Sequence, residues 1–414
     1  MEPELKRHIE PRLREALIDS PAVLIHGPRQ CGKTTLARTV AEETGHAYLN
    51  LDDENLFRFA ESDPMGFVAN LPRRAIIDEV QRAPSILHPL KLAIDEDRSP
   101  GRFILTGSAN LLRMRAAKES LAGRMEIVDL HPFSQCEMTG TEPQFLDRLF
   151  DPSPPPLQGT LSSAEHSALM VAGGYPPAVA RITEPRRIAW YRSYIKEITE
   201  SDTLEMERIR TSQAVVRLLE ALAAQTAQLL SVNNIAGELG MARPTIEKYL
   251  AALETMFLVE RLPAYFDNRL KRLIKSPKIH LCDTGIACRI AGLNSTRLGL
   301  DRTARGHLLE TFVFRELARQ ASVLKSEHSF FHYRNEDGVE VDIVVERRDT
   351  GQLAGIECKS AATMHPRDFK GLRKMRDELG ERFVAGVVVY EGTVSGSFDD
   401  RLYAVPLSSL WRAA

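Results

Sequence analysis

The chain has 414 residues, of which 43% are hydrophobic and 27% are charged, a composition that fits a globular protein of about two to four domains. Its 54 Lys and Arg residues nearly balance its 56 Asp and Glu residues, so a contact with nucleic acid would have to come from a local basic patch. The five cysteines form no C-x-x-C pair, which excludes the spacing of a zinc ribbon and favours reduced thiols over a disulfide framework.

The first residues of the chain are charged and lack the apolar segment of a secretory signal. No stretch of the sequence reaches the roughly 18 uninterrupted apolar residues of a membrane span. We therefore expect a cytoplasmic protein that has no membrane partner.

The first motif in chain order is a G-x-x-x-x-G-K-T sequence at residues 27–34, which we call the phosphate loop. It follows a short apolar run, Ala22–His26, that indicates a buried strand, and it precedes a helical pattern over residues 35–43. Backbone N–H groups at such a strand-to-helix junction form an anion site, and the two glycines let the backbone approach a phosphate. The motif therefore predicts ATP binding by Gly27, Pro28, Arg29, Gln30, Cys31, Gly32, Lys33, Thr34 and Thr35.

Three side chains of the phosphate loop carry distinct chemical hypotheses. The Lys33 ammonium would reach the β- and γ-phosphates, and the Thr34 hydroxyl would ligate Mg²⁺. Cys31 lies at the start of the predicted helix, where a thiolate is stabilised. It is therefore either a redox-sensitive group or a small residue that fits the loop.

Two further apolar runs end in polar residues. Residues 73–79 end in the adjacent carboxylates Asp78 and Glu79, and ligands bind at the carboxyl ends of strands in open α/β sheets. Asp78 is thus predicted to hold Mg²⁺ through water, and Glu79 to orient or polarise the water that attacks the γ-phosphate. Residues 103–108 end in hydroxyl side chains, of which Thr106 or Ser108 either senses the γ-phosphate or starts a turn.

The order of these motifs, together with the Leu-Ala-Gly-Arg segment that ends at Arg124, resembles AAA+-type ATPases. Their C-terminal domain is of uncharacterised function and is similar to restriction-endonuclease-like nucleases. The resemblance implies that Arg124 is an arginine finger, often supplied by a neighbouring subunit, and hence that the protein is a homo-oligomer. The alternative is that Arg124 is a surface residue, and Arg113 and Arg115 are weaker candidates for the finger.

The fold class that we predict is α/β. Alternating apolar runs and helical patterns up to about residue 134 predict a parallel sheet, and a Pro- and Ser-rich stretch at residues 151–159 indicates a linker. Together with the resemblance, this divides the chain into a P-loop NTPase core of AAA+ type (1–150), a linker and helical lid (151–209), a winged helix-turn-helix (210–277) and a PD-(D/E)xK nuclease-like α/β domain (278–414).

The third of these segments has the pattern of a helix-turn-helix. Gly240 ends one apolar stripe and Pro244 suits the first turn of a second helix, so that Arg243 and Lys248 would face outward and contact DNA. A basic run follows that could neutralise phosphates through Arg269, Lys271, Arg272, Lys275 and Lys278. Helix-turn-helix units also dock proteins, and Glu247 opposes tight binding in a DNA groove, so both partners stay open.

The C-terminal part contains an Asp followed, on the next predicted strand, by Glu-x-Lys. Asp342 belongs to an alternating run over residues 338–346, and Glu357 and Lys359 share one face of the following strand. This is the arrangement of the PD-(D/E)xK nucleases, in which two carboxylates, here Asp342 and Glu357, hold Mg²⁺ and the lysine positions or activates the attacking water. Glu310, on an upstream amphipathic helix, matches the acid that such folds add to the site.

Two hypotheses about the whole chain follow. In the first, ATP hydrolysis with Mg²⁺ is coupled to DNA binding or processing, and Glu310, Asp342, Glu357 and Lys359 cleave DNA. In the second, ATP gates a DNA- or protein-binding module whose nuclease-like domain is an inactive scaffold.

Overall fold

The computed structural model describes residues 5–107, 123–151, 159, 161–202, 212–266 and 275–412. The chain forms two compact units. The first runs to Phe133 and includes Thr255–Phe257, and the second holds the remaining residues. In the described residues, no helix is long and apolar enough to cross a membrane.

The first unit is built on a five-stranded sheet in which every neighbouring pair is parallel. Its strands are β1 (Ala22–His26), β2 (Ala47–Asn50), β3 (Ala75–Asp78), β4 (Phe103–Gly107) and β5 (Met125–Asp129), in the spatial order β2-β3-β4-β1-β5. Strands β1, β3 and β4 are buried along their whole length, which is why they appear in the sequence as continuous apolar runs and not as alternating ones. The predicted parallel α/β sheet is confirmed.

Helices cover this sheet. They are Glu10–Asp19, Lys33–Thr44, Glu54–Ser62, Pro64–Ala69 and Leu87–Glu96, with 3₁₀ turns at Val80–Arg82 and Pro84–Ile86. Leu24, Ile77 and Leu105 of the sheet belong to one buried cluster with Leu87 and Leu90. This packing fixes the strand ends from which the loop side chains project.

The second unit begins with helical segments. They are Gln135–Thr139, Phe145–Arg148, Ser163–Ala172, Pro176–Val179, Glu184–Glu197 and Ser212–Ala224, with a π-helical turn at Ile198–Asp202. The boundary predicted at residue 150 lies after the one observed, because the helices from Gln135 onward pack in this unit. The backbone N–H of Gln135, for example, donates to Glu316 Oε2 at 2.8 Å.

A pair of helices and a small sheet follow. The helices are Val232–Leu239 and Arg243–Thr255, and Gly240 ends the first of them with a φ of +64°, a conformation that glycine adopts without strain. The antiparallel sheet has the order β6-β8-β7, with β6 at Gln228–Leu229, β7 at Val259–Leu262 and β8 at Lys278–Leu281. The predicted boundary between residues 277 and 278 therefore cuts this sheet, since β8 is its central strand.

The largest sheet of the second unit has six strands in the order β13-β14-β12-β11-β10-β9. They are β9 (His328–Arg334), β10 (Glu340–Arg347), β11 (Leu353–Lys359), β12 (Phe383–Tyr390), β13 (Gly396–Asp399) and β14 (Leu402–Pro406). Strand β10 runs antiparallel to β11, whereas β11, β12 and β14 run parallel.

Four helices accompany the six-stranded sheet: Thr284–Ile290, Ser295–Leu300, Arg302–Val323 and Lys370–Leu379, with 3₁₀ turns at Pro366–Phe369, Gly380–Arg382 and Leu407–Leu410. Helix Lys370–Leu379 lies so close to β10 that a Cβ at Gly371 would come within 2.0 Å of the Glu340 carbonyl oxygen. Only glycine fits this approach.

Candidate functional site

The phosphate loop connects β1 to helix Lys33–Thr44, as the motif predicts. Gly32 is the N-cap of that helix, with a φ of +101°. A Cβ at Gly27 would come within 2.2 Å of the Leu130 carbonyl oxygen. Both glycines of the motif are therefore required by the backbone path, and the helix N-terminus behind the loop provides unpaired N–H groups for an anion.

Lys33 is folded over the loop. Its Nζ donates to the carbonyl oxygens of Gly27 at 3.1 Å and Pro28 at 2.8 Å, and the residue is 5% exposed. These carbonyls hold the ammonium on the side of the loop where a phosphate would bind. Lys33 is predicted to reach the β- and γ-phosphates. To do so, its ammonium must give up the hydrogen bonds to these two carbonyl oxygens in favour of phosphate oxygens.

Asp78 is the centre of the hydrogen-bond network beside the loop. It ends β3, is 2% exposed, and accepts from the Thr34 hydroxyl at 2.9 Å and 3.1 Å. The Tyr48 hydroxyl donates to Oδ2 at 2.5 Å, and the Thr106 hydroxyl donates to Oδ1. Burial and the neighbouring Asp78 raise the pKa of Tyr48 to about 12, so that phenol remains a donor.

Thr106 lies behind Asp78. It is fully buried in β4, and besides donating to Asp78 it accepts from the backbone N–H of Glu79 at 3.0 Å. Its hydroxyl thus fixes the carboxylate and the first residue after β3. Direct contact of Thr106 with the γ-phosphate stays a prediction, and Ser108 is outside the described residues.

Glu79 has a left-handed backbone, with a φ of +58°. Such a conformation costs a non-glycine residue of the order of 1 kcal/mol. Its side chain is half-buried and accepts from Gln81 Nε2. The turn after β3 therefore directs Asp78 and Glu79 differently, which suits two carboxylates with separate roles.

The residues beside the loop fit a nucleotide-bound Mg²⁺. Mg²⁺ at such sites is held by one hydroxyl of the loop and one carboxylate of a neighbouring strand. The Thr34 hydroxyl and the Asp78 carboxylate lie within hydrogen-bond distance of each other, so both oxygens converge on one point.

Cys31 is not activated. It is fully buried, and its Sγ donates to the Leu130 carbonyl oxygen at 3.4 Å. Burial raises the pKa of the thiol, against the lowering effect of Lys33 and Arg7. The thiolate hypothesis for this residue is therefore wrong, and the alternative of a small residue that fits the loop accounts for it.

Arg124, the candidate arginine finger, is paired within its own unit. Its Nε and Nη2 donate to the two carboxylate oxygens of Asp95, both at 2.8 Å. The hydrogen bonds from Arg124 lower the pKa of Asp95. The finger role stays a prediction, and Arg113 and Arg115 lie outside the described residues.

The residues predicted to contact DNA differ in their exposure to solvent. Arg243 and Lys248 are exposed on helix Arg243–Thr255, and Lys275 is exposed with its Nζ 5.6 Å from the Phe266 ring centre. Arg269, Lys271 and Arg272 lie outside the described residues. Lys278, the last residue of the predicted basic run, is 4% exposed, so its predicted role in phosphate neutralisation is wrong.

Lys278 instead joins the acidic side chains of the second unit. Its Nζ donates to Glu310 Oε1 at 2.8 Å and to Asp342 Oδ1 at 3.3 Å. The Lys359 Nζ donates to Glu357 Oε2 at 2.9 Å, and Asp342 Oδ2 accepts from the backbone N–H of Cys358 at 2.9 Å. We call Glu310, Asp342, Glu357, Lys278 and Lys359 the carboxylate cluster.

The carboxylate cluster has strongly perturbed acids. Burial and the charge of Asp342 raise the pKa of Glu357 to about 8 and that of Glu310 well above its ordinary value. Burial acts in the same direction on Asp342, but Lys278 and Lys359 outweigh it and lower its pKa. Asp342 is therefore the ionised acid to which both ammonium groups are attracted.

The cluster does not fit the predicted divalent metal. Of the two predicted ligands, Asp342 is engaged by Lys278 and by a backbone N–H, and Glu357 by Lys359. Across the part of the chain that the structure describes, no group of three or more His, Cys, Asp or Glu residues is arranged to hold a metal ion. The four residues of the predicted motif are thus close in space, but as ion pairs.

Sequence reasoning missed two residues of these sites, Tyr48 and the inward-facing Lys278. Nothing in the sequence around Tyr48 indicated a role in the site, because its strand carries no motif. Lys278 had one: it directly precedes the apolar run Ile279–Cys282, and a lysine at the start of a buried strand is usually paired.

Three family models match the chain. An "AAA domain" matches residues 19–139, a "Domain of unknown function (DUF8612)" matches 164–297, and a "Domain of unknown function (DUF4143)" matches 305–410. Two curated relatives, "Uncharacterized protein Rv2008c" of Mycobacterium tuberculosis and "Uncharacterized protein Mb2031c" of Mycobacterium bovis, are each 31% identical over 407 residues, which is 98% of this chain and 84% of theirs.

Two solved structures show weaker likeness. The Walker-type ATPase PABY2304 of Pyrococcus abyssi is 18% identical, with a TM-score of 0.45 over 70% of this chain and 96% of that one. The RuvB Holliday junction branch migration motor of Thermotoga maritima is 20% identical, with a TM-score of 0.31 over 62% of this chain and 89% of that one.

Proposed function

Because this chain belongs to the family of the mycobacterial proteins Rv2008c and Mb2031c and carries an AAA-type P-loop ATPase domain, we propose that it is an ATP phosphohydrolase that requires Mg²⁺. One observation carries the proposal: the Thr34 hydroxyl lies 2.9 Å from the Asp78 carboxylate, directly beside Lys33 and the phosphate loop. A hydroxyl and a carboxylate in this relation have the chemistry of a Mg²⁺-nucleotide site.

Each residue has a distinct task in this proposal. The loop N–H groups and Lys33 bind the phosphates, while the Thr34 hydroxyl would ligate the metal ion and Asp78 would hold it through water. Bound Mg²⁺ would supply positive charge to the phosphate oxygens. Glu79 accepts a proton from the attacking water, while Thr106 and Tyr48 keep Asp78 in place.

The test separates binding from turnover. We expect Lys33→Ala to weaken binding of a fluorescent ATP analogue strongly, and Glu79→Gln to bind it normally but to hydrolyse ATP about 10²–10⁴-fold more slowly. Glu54→Gln is the matched control, because Glu54 is an exposed acid of the same unit that forms a surface ion pair with Arg58. Unchanged ATP turnover in Glu79→Gln would refute the assigned role of Glu79.

For the second unit we propose that it binds DNA and does not cleave it. The exposed Arg243, Lys248 and Lys275 support contact with a polyanion, and the ion pairs of the carboxylate cluster support a scaffold without metal chemistry. We also propose that Arg269, Lys271 and Arg272 take part, and that the protein works as a homo-oligomer.

DNA binding and DNA cleavage have separate tests. We expect short duplex DNA at low salt to raise ATP turnover, and the triple substitution of Arg243, Lys248 and Lys275 by Ala to abolish the rise. Arg297→Ala, at an exposed position elsewhere in the unit, should not. Equal rates with and without DNA would contradict the coupling. Plasmid DNA cut by wild type in Mg²⁺ or Mn²⁺, and spared by Lys359→Ala, would refute the scaffold.

A further inference from the structure

Lys278 enters the carboxylate cluster from outside the six-stranded sheet. It starts β8, where it pairs with Leu229 of β6 on one side and Leu262 of β7 on the other. Its backbone is thus held in the centre of the three-stranded sheet. Its side chain is 5% exposed and ends between an acid of helix Arg302–Val323 and an acid of β10.

The Lys278 ammonium occupies the space that a metal would need. A divalent metal takes carboxylate oxygens at about 2.0–2.6 Å, and it would have to share Glu310 Oε1 and Asp342 Oδ1 with a cation that is already 2.8 Å and 3.3 Å away. Two cations at one pair of oxygens repel each other strongly in a buried site.

Moving Lys278 away is also unfavourable. Its departure would leave the ionised Asp342, whose side chain is 15% exposed, without the ammonium that lies 3.3 Å from it, and an uncompensated buried charge is costly. The remaining acid, Glu357, already faces the second ammonium, Lys359. Each of the three carboxyl groups therefore has a lysine ammonium of the chain within 3.3 Å.

We propose that Lys278 is a built-in substitute for a divalent metal: its ammonium occupies the oxygens of Glu310 and Asp342 and closes the carboxylate cluster to Mg²⁺ and Mn²⁺. The inference rests on the scaffold proposal for the second unit, and it names the Lys278 side chain as the reason why this unit would bind no divalent metal. It predicts that the acids are a latent metal site that the removal of Lys278 opens.

The test is Mn²⁺ titration by calorimetry on the nucleotide-free full chain, with Asp78→Asn in every variant so that the ATP site contributes nothing. We expect no saturable Mn²⁺ site in this parent chain. Lys278→Met should gain one site, at least tenfold tighter than any binding by the parent, and adding Asp342→Asn should remove it. Lys275→Met, an exposed lysine three residues earlier, is the matched control and should gain nothing.

Two results would overturn the proposal. One is a Mn²⁺ site in the parent that Asp342→Asn abolishes, since Lys278 is intact there. The other is a folded Lys278→Met chain that gains no site; if circular dichroism shows that this variant is unfolded, Lys278→Gln, which keeps a polar side chain, replaces it. ATP turnover of Lys278→Met with Asp78 restored tests the proposed nucleotide site separately. Plasmid cleavage by wild type tests the proposal that the second unit is a scaffold without nuclease activity.

Discussion

The hydroxyl of Tyr48 donates a 2.5 Å hydrogen bond to Oδ2 of Asp78, the same oxygen that Thr34 approaches at 2.9 Å. Tyr48 lies in β2 and Asp78 at the end of β3, and these strands are neighbours in the parallel sheet. The tyrosine therefore acts from the side opposite the phosphate loop and fixes the direction of the carboxylate. It is a positioning residue for the proposed Mg²⁺ site.

Tyr48→Phe should therefore reduce ATP turnover at limiting Mg²⁺. The loss of a hydrogen bond to a charged group costs about 1.5–3 kcal/mol, which corresponds to a loss of roughly tenfold or more. The measurement is turnover as a function of Mg²⁺ concentration. Tyr333→Phe is the control, because Tyr333 donates to Glu378 in the second unit, and a similar loss in both variants would argue against a local role of Tyr48.

Thr106→Val should slow ATP hydrolysis without changing the preference between ATP and ADP. The substitution removes the donor to Asp78 and the acceptor for the Glu79 N–H, both in a fully buried place, so we expect turnover to fall about tenfold or more. Affinities for ATP and ADP should fall by the same factor. A selective loss of ATP affinity would mean that Thr106 senses the γ-phosphate directly.

Arg124→Ala tests the arginine finger. If Arg124 leaves Asp95 to reach a phosphate, its removal should lower turnover by up to about 10³-fold, whereas Arg98→Ala, which removes the other arginine paired with Asp95, should have little effect. Mixing Arg124→Ala chains with Lys33→Ala chains should restore part of the activity if the finger acts between subunits. Normal turnover in Arg124→Ala would leave it as a surface residue.

The cysteines give a direct test of burial. All five are free and buried, and burial raises the pKa of the Cys31 thiol. We expect the thiols of the native chain to react with Ellman's reagent many times more slowly than an exposed thiol. In the denatured chain all five thiols should react. Rapid loss of one thiol together with ATP binding would revive the redox hypothesis for Cys31.

Stability of the second unit should fall in mild acid because of His332. Burial and the charge of Lys278 lower the pKa of this histidine to about 4, so below about pH 6.5 the unfolded chain binds a proton that the folded chain does not. Between pH 7 and pH 5, wild type should lose about 2 kcal/mol more of its unfolding free energy than His332→Gln. Urea unfolding at both pH values measures this difference, and equal losses would contradict it.

The nucleotide site was open to prediction because its determinants are local. Residues 27–34 are contiguous, and Asp78 directly ends a buried strand, so pattern and chemistry coincide in the sequence. The bonds from Tyr48 and Thr106 to Asp78 depend on which strands are neighbours. The order β2-β3-β4-β1-β5 is a property of the whole sheet that no single segment states.

Four of the five members of the carboxylate cluster were predictable from the sequence, but Lys278 and the chemistry of the cluster were not. Asp342, Glu357 and Lys359 are brought together by the pairing of β10 with β11, which alternation and spacing indicate. Lys278 is far from them in sequence and belonged by composition to a basic run. Its burial follows from the position of β8 between β6 and β7. This long-range pairing is also the reason why the boundary predicted at residue 277 separates strands of one sheet.

Because of the two lysines of the carboxylate cluster, the two units of the protein should differ in their dependence on metal ions from the medium. If Lys278 and Lys359 take the place of a metal ion, as we propose, a chelator should leave the melting temperature of the second unit unchanged. In the proposed function of the first unit, in contrast, nucleotide hydrolysis requires magnesium. A shortage of magnesium would therefore stop ATP turnover while the cluster formed by Lys278 and its acids stayed folded.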